Sequence, residues 1–328
     1  MLPQFSYVRP DTLKDTVKQL NAEGAAVHAG GTDLLGCLRE GIMHVDKVVS
    51  LSALGDLHGI KETADGGLVI GALTTITEVS EDPLVRKKYP GLAQGASDVA
   101  SPQLRNQGTI GGNLCQKPRC WYYRGEFQCL RKGGDICYAL GGEHQFHAIF
   151  GHDRICVITH PSDTAPPLVA LGAKIRAMGP DGRRTIPVEN FHVLPNENPQ
   201  AETVLKPGEM ITHIELPRPA GNLKSTYRKV RARRSWDFAL AGVALALELD
   251  GDRVVNGRVV LSGAAPVPWR SKPVEDTIRG RRIDAQTIDK AAAAVIEGAD
   301  ALPENTYKLD LFKGVIAEEL NAIQKASH

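Results

Sequence analysis

Five of the six cysteines of this 328-residue chain fall between Cys115 and Cys156, and the sixth, Cys37, stands alone. A secreted disulfide framework usually extends over a small, loop-rich domain, whereas this cluster occupies one part of a long chain. The N-terminus also lacks a basic segment followed by an apolar one, so we expect no signal peptide. The pattern favours a local site at which thiolates bind a metal ion or an iron–sulfur cluster.

Four of these cysteines follow the spacing C-x8-C-x7-C-x18-C, and the remaining one, Cys115, lies five residues before the first of them. The four are Cys120, Cys129, Cys137 and Cys156. No C-x2-C pair is present, which disfavours a zinc ribbon or a bacterial ferredoxin. Four scattered thiolates suit a [4Fe–4S] cluster, while a structural zinc site has the same number of ligands. Buried, unligated thiols are the alternative, above all for Cys115 and Cys37.

The segment from about 117 to 160 has neither helical nor strand periodicity, and it is rich in aromatic residues although the whole chain is only 5% aromatic. A connection of this length without regular structure is uncommon inside a compact domain unless it is functional or disordered. Its aromatic residues and cysteines argue against disorder. We therefore interpret it as an inserted module that is ordered by whatever its thiolates bind.

Hydrophobic periodicity predicts helices and strands in the rest of the chain. The predicted N-terminal elements are a helix capped by Asp11 or Thr12, strands at 25–29, 45–54 and 68–73, helices over 75–100 broken by Pro83 and Pro90, a turn-like stretch at 102–113, and a helix, a strand and a hairpin over 161–188. After 216–222 the pattern changes to long strands at 225–233, 237–250 and 254–265, followed by helices at about 285–297 and 307–326. We therefore place a domain boundary near residue 220, which divides the chain into domains 1–220 and 221–328.

Two glycine pairs occur in turn-like contexts. "HAGGTDLL" at 28–35 follows a predicted strand and precedes a predicted helix, and "GTIGGN" at 108–113 repeats the chemistry. Adjacent glycines expose consecutive backbone N–H groups with no Cβ to block a phosphate, so the two loops could hold the two phosphates of a dinucleotide. Taken alone, each pair is more often a tight turn. Neither matches G-x-G-x-x-G, so no Rossmann domain is predicted.

Charge and hydropathy exclude two classes of protein. The 39 basic and 38 acidic residues give a net charge of +1 at pH 7, which provides no bulk electrostatic attraction to nucleic acid. No segment approaches the ~20 apolar residues that a membrane-spanning helix needs. We therefore expect no nucleic-acid binding, no membrane insertion and a cytoplasmic location. The alternative location is the periplasm, reached by export together with a partner subunit that carries a signal.

Five segments together resemble the FAD-binding subunits of molybdenum hydroxylases, the family of xanthine dehydrogenase, aldehyde oxidoreductase and carbon monoxide dehydrogenase. They are "AGGTDLL", "QLRNQGTIGGNL", "PSDTAPPLVALGA", "TVLKPGEMITHIELP" and "YRKVRARRSWDFALAGVALAL". The resemblance covers almost the whole chain. The cysteine-rich insertion is similar to the one in a subset whose flavin subunit also carries a [4Fe–4S] cluster, as in 4-hydroxybenzoyl-CoA reductase and periplasmic aldehyde oxidoreductase.

The resemblance implies an α+β protein with a vanillyl-alcohol-oxidase-type (PCMH-type) FAD-binding fold. Two α/β subdomains would surround FAD, and a C-terminal α+β domain of the CO dehydrogenase flavoprotein type would follow. The residues implied to hold the pyrophosphate of FAD are Ala29, Gly30, Gly31, Thr32, Asp33, Leu34, Thr109, Gly111, Gly112 and Asn113. The implied cluster ligands are Cys120, Cys129, Cys137 and Cys156.

The resemblance also implies contacts with the rest of FAD. Ser162 and Asp163 would lie near its ribityl and adenosine side, and Ile211 and Lys229 would lie near the isoalloxazine ring. A cation near the ring would stabilise negative charge on reduced flavin. From the residues alone, Lys229 is instead a solvated lysine in a basic strand.

The implied function is electron transfer within a heterotrimeric oxidoreductase that also contains a molybdopterin-binding large subunit and a [2Fe–2S] small subunit. The chain lacks a C-x4-C-x2-C ferredoxin run and has no room for a molybdopterin domain, so we expect no hydroxylation by this chain alone. FAD would exchange electrons with an external partner, which is NAD, a quinone, ferredoxin or O2. The alternatives are a stand-alone flavin oxidase of the same fold, a zinc-stapled nucleotide-binding assembly protein, and a scaffold subunit that has lost FAD.

Overall fold

A computed structural model describes residues 1–325 and arranges their strands in three sheets. The first sheet is parallel, in the order β1-β3-β2, and consists of β1 (Ser6–Val8), β2 (Ala25–His28) and β3 (Lys47–Ser50). Helices α1 (Leu13–Leu20) and α2 (Leu34–Arg39) connect these strands. The cap predicted for α1 is confirmed at Thr12, whose hydroxyl accepts a hydrogen bond from the backbone N–H of Asp15.

The second sheet has five antiparallel strands in the order β4-β5-β8-β6-β7. Its strands are β4 (Ile60–Glu62), β5 (Leu68–Gly71), β6 (Lys174–Gly179), β7 (Gly182–Pro187) and β8 (Met210–Leu216). Periodicity did not predict β8, although it is the central strand. Residues 210–212 are consecutively buried, and half-buried His213 and Glu215 alternate with buried Ile214 and Leu216 only in the last four positions, so the alternation that marks a strand is short.

Seven helices follow in the rest of the N-terminal half: α3 (Ile76–Glu81), α4 (Pro83–Lys88), α5 (Pro90–Ser97), α6 (Pro102–Arg105), α7 (Ile110–Leu114), α8 (Trp121–Arg124) and α9 (Ala165–Ala170). The predicted breaks at Pro83 and Pro90 are confirmed, because each proline opens a new helix where its missing N–H costs nothing. The stretch predicted to be turn-like, 102–113, instead contains the short helices α6 and α7. Their four and five residues are too few to show a helical period in the sequence.

The third sheet is antiparallel, in the order β12-β11-β10-β9, with β9 (Leu223–Val230), β10 (Ala241–Asp250), β11 (Arg253–Ser262) and β12 (Trp269–Arg270). Helices α10 (Lys272–Ile278), α11 (Ala285–Ala294) and α12 (Tyr307–Lys325) pack on one face. Along β10, Val243 and Leu245 face these helices, whereas Ala244 and Ala246 face the core of the second sheet. The period of two residues along a strand therefore places this sheet between two cores.

The cysteine-rich insertion contains α8 and a few 3-10 turns, as its lack of periodicity predicted, and it packs against the C-terminal part of the chain. The fully buried side chain of Asn305 donates to the backbone carbonyls of His147 and Ala148 at 3.1 Å. Lys308 Nζ donates to the carbonyl of Phe146 at 3.1 Å. Burial lowers the pKa of Lys308 to about 7. Contacts with the C-terminal part of the chain therefore order this side of the insertion.

Within residues 1–325, no helix combines the length and the apolar character needed to span a bilayer.

Candidate functional site

The first glycine loop lies between β2 and α2 and is shaped by its two glycines. Gly31 has φ +71°, a conformation that glycine adopts without a steric penalty. Gly30 has no space for a side chain, because a Cβ would lie 1.8 Å from the carbonyl oxygen of Gln107. The first loop therefore rests directly on the backbone that leads into the second loop.

The two loops differ in the backbone N–H groups that they offer. The N–H groups of residues 30–33 donate to no other group in the part of the chain that the structure describes. In the second loop, the Ile110 and Gly111 N–H groups donate to the carbonyls of Thr74 and Ala72. The Gly112 N–H donates to the hydroxyl of Thr109 at 3.2 Å, which caps α7. The first loop therefore presents four unpartnered N–H groups, whereas in the second loop only the Thr109 N–H lacks a partner within residues 1–325.

Two clefts open beside the junction of the loops. The first cleft is lined by both loops and by apolar side chains that include Leu51, Leu73 and Met210. The second cleft is lined by the second loop, by arginines and by the aromatic rings of Trp236 and Phe238. The two clefts share wall residues at the loop junction, and we call them together the trough.

The structure brings most of the predicted cofactor-contacting residues to this trough. Ala29, Gly30, Gly31, Leu34, Gly111 and Ile211 line the first cleft only, Asn113 and Asp163 line the second cleft only, and Thr32, Asp33, Thr109 and Gly112 line both. Ser162 and Lys229 line neither cleft. Ile211 and Lys229, which the resemblance places near the isoalloxazine ring, therefore line no common cleft.

Ser162 and Asn113 form hydrogen bonds within the protein. The Oδ1 atom of Asn113 accepts hydrogen bonds from the hydroxyls of Ser162, at 2.6 Å, and Thr164, at 2.7 Å. Ser162 is almost completely buried, and its Oγ also accepts from the Ala165 N–H at 3.0 Å. These contacts join the second glycine loop to the start of α9.

Asp33 of the first loop is held by basic residues of the insertion. Its carboxylate lies 2.9 Å from Arg119 Nη2 and 2.8 Å from Arg124 Nη2, and it accepts the backbone N–H of Lys117 at 2.7 Å. Sequence reasoning missed the two arginines, since nothing in their spacing relates them to a residue more than eighty positions away. Asp33 therefore ties the glycine loop to the cysteine-rich insertion.

Lys229 is a buried residue rather than a solvated one, which corrects the interpretation made from its basic strand. Its side chain is 1% exposed, and its Nζ lies 2.7 Å from Asp163 Oδ2. The hydroxyl of Tyr227, which sequence reasoning also missed, donates to Asp163 Oδ1 at 2.8 Å. Burial raises the pKa of Asp163, and the contacts with Lys229 and Tyr227 oppose that shift. Lys229 and Tyr227 thus position a carboxylate at the wall of the second cleft.

Lys229→Met is expected to lower the free energy of unfolding by about 3–5 kcal/mol, because it leaves the Asp163 carboxylate buried without its cation. The matched control is Arg228→Met on the same strand, whose partner Glu318 is exposed and whose loss should cost less than about 1 kcal/mol. Urea unfolding of both variants followed by circular dichroism measures the difference. Equal losses in the two variants would contradict the role assigned to the buried pair.

The four cysteines predicted to be ligands line one small cavity in the insertion. Cys120, Cys129, Cys137 and Cys156 all contribute to its wall. A hydrogen bond between the last two lowers the pKa of Cys137 to about 6 and raises that of Cys156. Cys37 and Cys115 lie instead beside the first cleft. As arranged in residues 1–325, no group of three or more His, Cys, Asp or Glu side chains is positioned to hold a metal ion.

The positive charge of Arg131 indicates whether an anionic group would suit this cavity. Its side chain is 2% exposed and lines the cavity, and it donates to the carbonyls of Pro199, at 2.6 Å, and Ala201, at 2.8 Å. Its Nε atom is buried and has no hydrogen-bond partner within residues 1–325. Glu202 already pairs with this guanidinium, with 3.4 Å between its Oε1 atom and Arg131 Nη2, so the unused Nε–H is the group left for a negatively charged thiolate centre.

A further cavity of about 910 Å³ lies between the cysteines and the trough. It shares Cys120 and His147 with the cysteine cavity, and it shares Arg119, Asp163 and Phe238 with the second cleft. We call it the connecting cavity. Cys120 is therefore the cysteine on the side that faces the trough.

Comparison with known proteins matches both halves of the chain to families. Residues 3–219 match the FAD binding domain in molybdopterin dehydrogenase, and residues 225–317 match the CO dehydrogenase flavoprotein C-terminal domain. The chain is 38% identical to the aldehyde oxidoreductase FAD-binding subunit PaoB of Escherichia coli K12, over 96% of this chain and 97% of that protein. It is 26% identical to the carbon monoxide dehydrogenase medium chain of Hydrogenophaga pseudoflava, over 98% of this chain and 97% of that one.

Solved structures show the same fold. A carbon monoxide dehydrogenase from Hydrogenophaga pseudoflava that lacks the Mo-pyranopterin moiety superposes with a TM-score of 0.78 and 25% identity, over 100% of this chain and 99% of that chain. Quinoline 2-oxidoreductase from Pseudomonas putida 86 superposes with a TM-score of 0.77 and 24% identity, over 100% of this chain and 99% of that chain. These matches confirm the predicted FAD-binding fold followed by a C-terminal domain of the CO dehydrogenase flavoprotein type.

Proposed function

Because this chain belongs to the family of FAD-binding subunits of molybdopterin dehydrogenases, we propose that it is the FAD- and iron–sulfur-containing electron-transfer subunit of a heteromeric molybdenum hydroxylase. The junction of the two glycine loops is the observation that supports this proposal most. Unpartnered N–H groups at residues 30–33 lie on the wall of the trough, where consecutive backbone donors suit a phosphate. Bound FAD supplies the capacity to exchange electrons.

The residues of the trough have separate roles in this proposal. The free N–H groups of the first loop hold the pyrophosphate, since consecutive backbone donors match phosphate oxygens. Gly111 and Gly112 shape the opposite wall, and Thr109 adds one unpartnered N–H group there. Asp163, positioned by Lys229 and Tyr227, provides an acceptor on the wall of the second cleft. Ile211 and the other apolar residues of the first cleft exclude water from the flat parts of the cofactor.

We assign Cys120, Cys129, Cys137 and Cys156 as ligands of a [4Fe–4S] cluster. A single zinc ion requires four sulfurs about 2.3 Å from one point, whereas a cubane spreads the same ligands around a larger body. All four thiols line one common cavity, as the ligands of one centre must. Arg131 offsets the negative charge that four thiolates bring to a buried place.

The partners follow from the same family membership. Relatives of this chain are named as medium chains or FAD-binding subunits, names that indicate larger complexes. We propose a large subunit that binds molybdopterin and a small subunit with [2Fe–2S] clusters. Electrons pass between these clusters and an external partner, which is NAD, a quinone, ferredoxin or O2. The proposed location is the cytoplasm, or the periplasm if a partner carries the export signal.

The test is an absorption spectrum of the anaerobically purified chain, with iron, sulfide and zinc assayed on the same sample. We expect flavin bands together with a broad iron–sulfur absorption and about four irons per chain. Zinc in place of iron would overturn the cluster assignment and leave the FAD assignment standing. A colourless protein that also fails to take up added FAD would overturn the proposed function.

A further inference from the structure

We propose that His147 sets the reduction potential of the cluster by donating a hydrogen bond from its Nε2 atom to the sulfur of Cys120. This proposal rests on the cluster assignment of the proposed function. Nε2 lies 3.3 Å from Cys120 Sγ, within hydrogen-bonding distance for a sulfur acceptor. His147 is buried and lines the cysteine cavity, and it lies outside every motif that the sequence analysis identified.

The other contacts of the ring indicate which atom donates. A neutral imidazole carries a single N–H, on either Nδ1 or Nε2. The Nδ1 atom of His147 is buried and has no partner among residues 1–325. A ligand thiolate has no proton to donate, so a hydrogen bond at this contact requires the ring N–H on Nε2.

The backbone on both sides of His147 holds the ring in place. Its N–H donates to the His144 carbonyl at 3.0 Å, and its carbonyl accepts from Asn305 Nδ2 at 3.1 Å. The His144 ring is itself held between the Ala139 carbonyl and the Glu304 N–H. The C-terminal part of the chain therefore positions the imidazole against the sulfur, and His147 acts as a positioning residue.

The hydrogen bond has a defined electrostatic effect. Reduction adds negative charge that is shared by the ligand sulfurs, and a donor to one of them stabilises that charge, so it raises the reduction potential. The effect falls on Cys120, which lines the connecting cavity as well as the cysteine cavity. His147 therefore acts on the ligand that faces the trough proposed to hold FAD.

The experiment is a spectroelectrochemical titration of the full chain and of His147→Leu, both purified anaerobically. We expect His147→Leu to retain its iron and to show a lower cluster potential. His147→Gln, whose amide can donate, should recover part of the shift. The matched control is His152→Leu, which removes a buried imidazole of the same insertion whose partners are the Asp300 carbonyl and the Arg154 N–H. Its cluster potential should equal that of the wild type.

The outcomes separate this proposal from the cluster assignment. Equal potentials in the wild type and in iron-loaded His147→Leu would overturn the role of His147 alone. Absence of iron from the wild type would overturn the cluster assignment, and the role of His147 with it. If His147→Leu fails to assemble a centre, pulsed electron paramagnetic resonance of the reduced wild type labelled with 15N-histidine decides. We expect a histidine nitrogen coupled to the cluster in the wild type and in His152→Leu. Absence of this coupling in the wild type would overturn the proposal.

Discussion

Gly30→Ala is expected to weaken FAD binding by about tenfold to a hundredfold, because the new methyl group must displace the backbone beneath it. A Cβ at this position lies 1.8 Å from the Gln107 carbonyl oxygen and 3.3 Å from the Gly108 Cα atom, so the two loops have to separate. Overpacking of this kind costs about 1–3 kcal/mol. A loss of about 1.4 kcal/mol in binding corresponds to a tenfold change in affinity. Because the clash lies at the loop junction, it distorts mainly the proposed phosphate site.

The measurement is the ratio of flavin to protein absorbance after purification, followed by titration of the stripped protein with FAD. Gly55→Ala is the matched control, since a Cβ at Gly55 has no atom within 4 Å and Gly55 lines neither cleft. This control should bind FAD as the wild type does. Circular dichroism of both variants shows whether the fold is retained. A folded Gly30→Ala with the affinity of the wild type would contradict the placement of FAD at this junction.

Serine in place of Cys120, Cys129, Cys137 or Cys156 is expected to reduce the iron content from about four atoms per chain to nearly none. All four thiols line one cavity, and the removal of one leaves a cubane corner without its protein ligand. Two of them, Cys129 and Cys156, are almost completely buried, so no thiol from solvent can replace them there. Iron and sulfide assays on the anaerobically purified variants provide the measurement.

Cys115→Ser is the control for this series. Cys115 lies beside the first cleft, outside the cysteine cavity, and burial raises its pKa to about 12, so it is a protonated thiol at neutral pH. Its replacement should leave the iron content unchanged. If Cys115→Ser loses as much iron as the other variants, or if a variant of the four keeps all of it, the ligand set is wrong.

The prediction of secondary structure succeeded where local rules dominate. Prolines at 83 and 90 open helices because their ring fits the first helical turn, and β10 begins with a continuous apolar run at 241–247, which is typical of a strand buried on both faces. It failed at β8, where polar and apolar positions alternate only from His213 to Leu216. It also failed at α7, where the Thr109 cap turns a glycine-rich segment into a short helix.

The candidate site shows the same division. The glycine pairs were visible in the sequence because only glycine permits so close an approach of two backbones and a φ of +71°. Which loop keeps free N–H groups depends on the carbonyls of Ala72 and Thr74, which belong to another segment. The anchoring of Asp33 by Arg119 and Arg124 was likewise not predictable, because charge spacing along a chain does not specify which long-range partners meet.

The sequence by itself determined the kinds of chemistry available: backbone donors in glycine loops, four thiols in one insertion, and a family membership that specifies an FAD-binding fold. Tertiary structure decided how those groups are used. It buries Lys229 against Asp163 and places His147 at the sulfur of Cys120. Both outcomes depend on desolvation and on contacts between segments far apart in the chain, and neither quantity is encoded in local periodicity or spacing.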